Sequence, residues 1–363
     1  MKIIPCILVG GLFFLASCFN NTSETQMEQP SLEVEESPAP GYQWYTLRDG
    51  RFVPGFYTGA QELRPWPIQD RVAGFARMDN KLYCLINGYG LALFPEQEDE
   101  EFDYLYSRNI FQNKTFSRVI AYNQTHYIHL YRDTIFQDGL PEGSRCFYEY
   151  LPEDNTLVPF SAPDVSSDPR WQAISLSVEE PGMWNIAWKL VSSNSSQYFY
   201  SAYSLDQDQA VELSREDFIQ STALLSPEAA PELLRQLLEE DEVSNAINEN
   251  DIYVLEVHFQ DNGTSRAFLL GDQAGIEDPD VSLNRVYASC SADVTALILP
   301  GGQVFLSRSD TGSVWMYTIP RPDDSVRFTA VSIIPGLGIT AAWETQEFFQ
   351  VGDSGLFVLY SEL

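Results

Sequence analysis

Two short phrases near the end of the printed sequence combine an acid, a hydroxyl and a glycine, residue types that can do chemistry. They are Asp310-Thr311-Gly312 and Asp353-Ser354-Gly355, and each precedes an apolar run that closes on Tyr. Two aspartates brought face to face can share one proton and act as an acid–base pair. A serine can act as a nucleophile when a histidine base lies within hydrogen-bond reach. The sequence contains three histidines, His126, His129 and His258.

The two phrases resemble the paired active-site turns of aspartic proteases, in which each turn comes from its own lobe. Here the two aspartates are about 43 residues apart, which is too few for a lobe between them. Gly352-Asp353-Ser354-Gly355 also resembles the nucleophile motif of chymotrypsin-like proteases, and Ile339-Thr340-Ala341-Ala342 resembles their histidine motif. The next residue is Trp343 and not His, so the base that the serine needs is missing. The sequence therefore favours two structural turns over a protease site.

The other candidate ligands are too few or wrongly spaced for a metal site. His126 and His129 lie three positions apart in a predicted strand, so that their side chains point to opposite faces. Asp206 and Asp208 share a face, but no glycine and no third acid follow at the spacing of a calcium loop. Solvated turn residues are the simpler interpretation of this pair. We predict no metal, no cofactor and no catalytic residue.

The offset between the two phrases also predicts the fold. A period of about 40–45 residues, with about four strands in each period, is typical of a β-propeller blade. The last period contains short strands at 313–319, 328–334 and 339–343, which are rich in Val, Ile, Phe and Tyr. We divide the length of residues 42–363, without one helical insertion, by this period to estimate the number of blades. The result predicts an all-β propeller of about seven four-stranded blades, with six as the alternative. No Trp-Asp signature or Kelch double glycine indicates a particular propeller family.

A hairpin opens the folded part of the chain. Its predicted strands are 42–47 and 51–56, and Arg48-Asp49-Gly50 forms the turn between them. An N-terminal strand often completes the last blade of a propeller and thereby removes a free sheet edge. We expect this hairpin to complete the last blade in the same way.

The strand pattern is interrupted at residues 214–249, which we predict to be a helical insertion. Ser214 is a candidate cap of a short turn, and four leucines repeat along one helix face. These leucines, Leu233, Leu234, Leu237 and Leu238, are the candidate partner-binding residues. Two alternatives are open: the leucine face packs on the chain's own sheets as a lid, or it docks into the groove of a partner protein.

The N-terminal residues predict the cellular location of the protein. Lys2 precedes an apolar run whose length fits a signal sequence of about 7–15 residues and not a membrane span of about 20. The run ends in Leu15-Ala16-Ser17-Cys18, which resembles the lipobox of bacterial lipoproteins. This resemblance implies a signal peptide at 1–17, cleavage before Cys18, diacylation of its sulfur, and slightly favours the outer membrane because Phe19 and not Asp follows.

Residues 18–41 are predicted to be an acidic tether. They contain five glutamates and three prolines but no lysine or arginine. A segment of low hydrophobicity and one sign of charge cannot bury enough apolar surface to fold. Such a tether spans on the order of 25–30 Å, and the folded domain is expected at 42–363.

Charge and cysteine usage narrow the possible partners. The formal net charge is −31, which argues against binding to nucleic acid and against flat docking on anionic lipid.

The folded part of the chain contains three cysteines, Cys84, Cys146 and Cys290, and the sequence leaves open whether two of them form a disulfide. The sequence therefore predicts a lipid-anchored extracytoplasmic propeller that binds an envelope protein or acts as a scaffold. The alternative is a propeller hydrolase of glycan or peptide.

Overall fold

The computed structural model shows an all-β chain. It describes residues 41–59, 64–65, 70–78, 81–97, 100–106, 114–122, 125–133, 147–151, 154, 156–159, 171–180, 182–190, 197–218, 232–239, 253–260, 264–270, 284–291, 293–347 and 350–361. The predicted signal peptide, Cys18 and the tether lie outside these ranges. No helix within them is long and apolar enough to span a membrane.

Strands account for most of the described residues. In chain order they are β1 (Tyr42–Arg48), β2 (Arg51–Pro54), β3 (Arg64–Pro65), β4 (Val72–Met78), β5 (Lys81–Ile86), β6 (Gly90–Leu93), β7 (Asp103–Tyr106), β8 (Lys114–Tyr122), β9 (Thr125–Asp133), β10 (Phe147–Leu151), β11 (Thr156–Pro159), β12 (Trp171–Glu180), β13 (Met183–Leu190), β14 (Tyr198–Ser204), β15 (Gln209–Glu212), β16 (Tyr253–Phe259), β17 (Thr264–Leu270), β18 (Asn284–Cys290), β19 (Val294–Ile298), β20 (Gln303–Arg308), β21 (Ser313–Thr318), β22 (Val326–Ile334), β23 (Gly338–Glu347) and β24 (Gln350–Tyr360). Helix α1 (Glu232–Glu239) lies between β15 and β16.

These strands form five sheets. Sheet 1 has the order β4-β5-β6-β7, sheet 2 the order β8-β9-β10-β11, and sheet 3 the order β12-β13-β14-β15. Sheet 4 has the order β17-β16-β18-β19-β20-β21, and sheet 5 the order β2-β1-β24-β23-β22, with β3 added to β24. All strand pairs are antiparallel except β16 and β18, which are parallel. We refer to β4, β8, β12, β18 and β22 as the leading strands, because each begins its sheet's run of consecutive hairpins.

The N-terminal hairpin belongs to the same sheet as the last three strands of the chain. β1 pairs with β24 in antiparallel register, from Tyr42 opposite Leu359 to Thr46 opposite Gly355. The turn between β1 and β2 is one residue shorter than predicted, because Arg48 is the last residue of β1 and pairs with Arg51. Asp49 and Gly50 both have positive φ angles, of 48° and 77°, as a two-residue type I′ hairpin turn requires.

The second Asp-Ser-Gly phrase is not a turn, and that prediction is wrong. Asp353, Ser354 and Gly355 are consecutive strand residues of β24, whereas Asp310 and Gly312 do lie in the turn between β20 and β21. β21 is the outer strand of sheet 4, but β24 lies third from β22 inside sheet 5. The two phrases are therefore not equivalent elements of a repeat.

The five sheets of the described residues do not confirm the predicted seven blades or the alternative six. The period itself does recur: β18 and β22 begin at Asn284 and Val326, about one predicted period apart. β12 and β18 are much farther apart in the sequence, and α1 and the extra hairpin β16–β17 lie between them. The division leaves out the helical insertion at 214–249 but still counts the hairpin β16–β17, which joins sheet 4 and forms no sheet of its own.

Neighbouring sheets pack through hydrophobic clusters. Sheets 4 and 5 share the largest cluster, which includes Trp44, Ile298, Leu306, Trp343 and Phe357. The opposite face of sheet 5 packs on sheet 1, and Phe147 of β10 packs among residues of sheet 3. Contacts also join β4 to β8 and β12 to β17. Each sheet therefore touches the sheet before it and the sheet after it.

Candidate functional site

Helix α1 places two of the four candidate leucines in the core. Leu234 and Leu237 are buried, and they pack on Leu255, Val286 and Phe305 of sheet 4. Leu238 is partly buried on the same cluster, and the side chain of Leu233 lies outside the described set. This geometry agrees with the alternative in which the leucine face packs on the chain's own sheets. It does not agree with docking of this face into a partner protein, because the buried leucines are covered by the chain's own strands.

The remaining predicted turn and metal candidates have structural surroundings. Ser214 caps a helical turn, because its hydroxyl accepts a 3.0 Å hydrogen bond from the amide of Asp217. Asp208 accepts a 2.8 Å hydrogen bond from the hydroxyl of Tyr203 at the turn between β14 and β15. His126 and His129 both lie in β9, three positions apart as the sequence indicates. Within the described ranges, no three His, Cys, Asp or Glu side chains are grouped to hold a metal ion.

The two aspartates of the Asp-Ser/Thr-Gly phrases are bound by different arginines. Asp310 is exposed at its turn and accepts hydrogen bonds of 3.1 and 2.8 Å from Arg308, which lowers the pKa of its carboxyl group. Asp353 is buried and accepts a 2.5 Å hydrogen bond from Arg48 and a 2.6 Å hydrogen bond from the amide of Gly59. Neither carboxylate can share a proton with the other, as a protease dyad requires.

A cluster of ionisable side chains lies where three of the leading strands begin. We call it the Arg71 cluster and define it as Asp70, Arg71, Tyr89, Tyr287 and Glu344. Arg71 precedes β4 and its Nε donates a hydrogen bond to the buried carboxylate of Glu344 in β23. Glu344 lies opposite Arg327, the second residue of β22. The ion pair therefore joins sheet 1 to sheet 5 away from bulk water.

Asp70 lies between a turn of sheet 1 and strand β24 of sheet 5. Its carbonyl oxygen accepts a 2.8 Å hydrogen bond from the hydroxyl of Ser354, and its amide donates to the carbonyl of Asn87 at 3.3 Å. Its carboxylate accepts a hydrogen bond from Tyr89. Its Oδ1 atom is buried and has no hydrogen-bond partner among the described residues.

The two tyrosines of the cluster are held in the protonated form. Burial, together with the hydrogen bond to Asp70 and the charges of Asp70 and Asp49, raises the pKa of Tyr89 to about 12. Burial is also the main cause that raises the pKa of Tyr287, and the negative charges of Glu256 and Glu344 add to it against the opposing charge of Arg285. At neutral pH both hydroxyls are hydrogen-bond donors and not bases.

A second ion pair lies beside Tyr287. Arg285, the second residue of β18, donates a 2.8 Å hydrogen bond to Glu256 of the parallel strand β16. The arginine side chain is 56% exposed, so this pair is open to solvent on one side. The charge of Glu256 raises the pKa of Arg285, which keeps the guanidinium group ionised.

The opposite ends of the same three strands meet at a buried glutamine. Gln260 Nε2 donates hydrogen bonds to Ser289 of β18 at 3.0 Å, and to Ser332 of β22 at 2.6 Å. It also donates to the carbonyl of Ile333 at 3.0 Å. Its Oε1 accepts a 3.2 Å hydrogen bond from Arg77 of β4. These contacts, which we call the Gln260 node, join sheets 1, 4 and 5.

The Arg71 cluster and the Gln260 node lie at the two ends of three leading strands, β4, β18 and β22. Arg71 and Arg77 stand at either end of β4, and Arg285 and Ser289 stand at either end of β18. Arg71 and Arg285 are each paired with a carboxylate, and the amide of Gln260 bonds across sheets. The arrangement can hold sheets in a fixed relation and present donors at one end.

Sequence reasoning missed both clusters. Their members come from sheets that are far apart in the chain, so no spacing or motif brings them together. One signal was present: Gln260, Ser289 and Ser332 are polar residues that adjoin apolar residues near the ends of their strands. A polar side chain at a buried strand position needs a hydrogen-bond partner, although the sequence does not say which one.

The fold and the site define an all-β protein whose sheets are joined by buried polar contacts. The chain belongs to a family of unknown function, DUF8086, whose model matches residues 39–362. No protein of curated function matches the sequence.

Several solved structures are similar to this chain at low identity. A gluconolactonase from Xanthomonas campestris has a TM-score of 0.38 and 11% identity, covering 89% of this chain and 99% of that chain. A calcium-binding protein, regucalcin, from Agrobacterium tumefaciens has a TM-score of 0.36 and 10% identity, covering 84% of this chain and 96% of that chain. The N-terminal domain of Nup159 has a TM-score of 0.26 and 11% identity, covering 79% of this chain and 76% of that chain.

Proposed function

We propose that this chain is a lipid-anchored β-propeller of the bacterial envelope that serves as a binding or scaffold module. In this proposal the five sheets are successive blades of one ring, and β1 closes the ring by pairing with β24. The contacts of each sheet with the next, and the pairing of the first strand with the last, support it.

The observation that carries the binding role is the pairing of arginines with carboxylates between strands. Arg71 binds Glu344 between sheets 1 and 5, whereas Arg48 binds Asp353 within sheet 5 and Arg285 binds Glu256 within sheet 4. Carboxylates held by guanidinium groups are poor general acids, whereas pairs that join strands stiffen a scaffold that presents its loops to a partner. The surface of net charge −31 is suited to a partner with a basic face.

The anchor is proposed at Cys18, on the lipobox-like run Leu15-Ala16-Ser17-Cys18. We expect a labelled fatty acid to enter the wild-type protein, and Cys18→Ala to abolish both labelling and membrane association. A Cys18→Ala protein that remains acylated in the membrane fraction would contradict the anchor. Cys6→Ala, a change of the other cysteine in the signal segment, is the matched control and should leave labelling intact.

The binding role is tested by cross-linking the anchored protein in its own envelope and identifying by mass what it captures. Wild-type protein should capture a defined partner, and a variant with charge reversal at exposed acids of the chain, Glu96→Lys and Glu100→Lys, should capture less of it if the partner is basic. We expect the wild-type protein to hydrolyse glycan or peptide substrates no faster than an inactive control protein. Measurable hydrolysis that depends on Asp70 would replace the binding role by the hydrolase alternative.

A further inference from the structure

The outer strand of sheet 4 differs from the outer strands of the other sheets. A sheet edge carries unpaired amide and carbonyl groups, and proteins protect it with charged residues or proline. The outer strands β2, β7, β11 and β15 contain, respectively, Arg51 with Pro54, Asp103, Pro159, and Glu212. β21 reads Ser-Val-Trp-Met-Tyr-Thr and contains neither a charge nor a proline.

β21 also carries apolar side chains on both faces that are only partly covered. Trp315 and Tyr317 are half-buried against the cluster between sheets 4 and 5, and Val314 is half-buried against the cluster below α1. Met316 is 43% exposed. β21 pairs with β20 on one side, and no described strand pairs with its other side.

Sheet 5 shows that this fold accepts a further strand at the same place. Counted from the leading strand, β1 is fourth in sheet 5 and β21 is fourth in sheet 4. β2 pairs with the outer side of β1 in antiparallel register, from Tyr45 opposite Pro54 to Arg48 opposite Arg51. A fifth, antiparallel strand is therefore compatible with the packing of neighbouring sheets.

We propose that the outer edge of β21 pairs with β21 of a second copy of this chain. The charge pattern favours a second copy at this edge over the other edges. Each chain has a net charge of −31, so two copies repel each other wherever acidic surfaces meet. β21 has no charged residue, and the charges at the turn before it, Arg308 and Asp310, neutralise each other. Two such edges can meet without burying like charges.

The symmetry of this contact identifies a residue at which the contact can be tested. A two-fold axis perpendicular to the sheets pairs β21 with itself antiparallel, as an isologous interface requires. Residues near the centre of the strand then lie beside the same residues of the copy. Met316 is such a residue, and its exposure lets it be replaced without disturbing the core. The contact buries less area than the roughly 1,600 Å² of a standard interface, so the dimer should be weak.

The test uses the full chain purified in a mild detergent. Met316→Cys should cross-link under mild oxidation at least about tenfold faster than Val211→Cys, which places an exposed cysteine on the outer strand of sheet 3. Cys84 and Cys290 are buried and do not compete, and Cys146 is replaced by Ala in both variants. In sedimentation equilibrium, Met316→Lys should raise the dimer dissociation constant by about tenfold or more, because it places two like charges at the axis.

Val211→Lys is the matched control for charge and should leave the dissociation constant unchanged. Thermal unfolding of each variant checks that it is folded. A wild-type chain that stays monomeric up to about 100 μM, equal cross-linking of both cysteine variants, or a dimer insensitive to Met316→Lys would each overturn the proposal. Binding of a partner protein's strand to this edge would give the first of these results.

Discussion

The carbonyl oxygen of Tyr45 in β1 lies directly against Gly355 in β24, so close that a Cβ atom at residue 355 would overlap it. The same oxygen accepts a 3.2 Å hydrogen bond from the indole of Trp343. A glycine at this position therefore lets the first and last strands of the chain approach each other around a buried tryptophan.

Gly355→Ala is expected to lower the free energy of unfolding by about 3 kcal/mol, because backbone atoms of β1 must move to admit the methyl group. Gly336→Ala is the control. Gly336 has a φ of 70° and open space around it, so that this change costs only about 1 kcal/mol of backbone strain. Urea unfolding of both variants makes the comparison. Equal losses would contradict the close approach.

The close approach of Tyr45 to Gly355 explains this glycine differently from the turn that the sequence suggests. The phrase Asp353-Ser354-Gly355 has the composition of a turn, but its residues extend a strand whose neighbours come from residues 42–48 and 338–347. Local composition cannot report that a distant strand requires space. The turn at Asp310 follows the expected rule because its geometry depends only on nearby residues.

Asp353→Asn is expected to cost about 3 kcal/mol of unfolding free energy. It leaves Arg48 without its anionic partner at a site where the carboxylate is almost fully buried. The matched control is Asp310→Asn, which breaks an exposed pair with Arg308 and should cost at most about 1 kcal/mol. Chemical denaturation of the two variants decides the matter, and a larger loss at Asp310 would contradict the assignment of Asp353 as a structural residue.

The elements that the sequence predicts well are those with strong local signals. β1, β2 and β21 begin at the predicted residues, and the leucine face of α1 is a helix face. The number of sheets was not predictable from length, because the insertion between β15 and β18 contributes a hairpin to sheet 4. The Arg71 cluster and the Gln260 node depend on which sheets become neighbours, and a single sequence does not encode that in its spacing.

Leu237→Ala tests whether α1 is part of the core. Leu237 is buried against sheet 4, so its truncation should lower the free energy of unfolding by about 3 kcal/mol and lower the melting temperature. Val211→Ala, at a 61% exposed position, should change it by no more than about 0.5 kcal/mol. Unchanged melting of Leu237→Ala together with weaker partner capture would restore the docking alternative.

Gln260→Leu tests the node between sheets 1, 4 and 5. The leucine leaves the hydroxyls of Ser289 and Ser332 and the carbonyl of Ile333 without the hydrogen bonds that Gln260 makes. We expect a loss of about 2 kcal/mol in urea unfolding. Gln43→Leu removes only a bond to the adjacent carbonyl of Trp44 and should be nearly neutral. A neutral Gln260→Leu would show that the node does not hold the sheets.

The hydrogen bond from Tyr89 to Asp70 predicts how stability depends on alkaline pH. Because the pKa of Tyr89 is raised from its ordinary 10 to about 12 in the folded chain, its contribution is complete below pH 10. Between about pH 10 and 12 the unfolded chain loses this proton while the folded chain retains it, so stability falls as the pH rises.

Tyr89→Phe removes the titrating group and should make that fall shallower. It should also cost about 1 kcal/mol at neutral pH through the lost hydrogen bond. Tyr57→Phe, which removes the hydroxyl group of an exposed tyrosine, is the control and should cost less than Tyr89→Phe at neutral pH. The measurement is the free energy of unfolding in urea at pH 9, 10, 11 and 12, and a Tyr89→Phe slope equal to that of the wild type would contradict the placement of Tyr89 against Asp70.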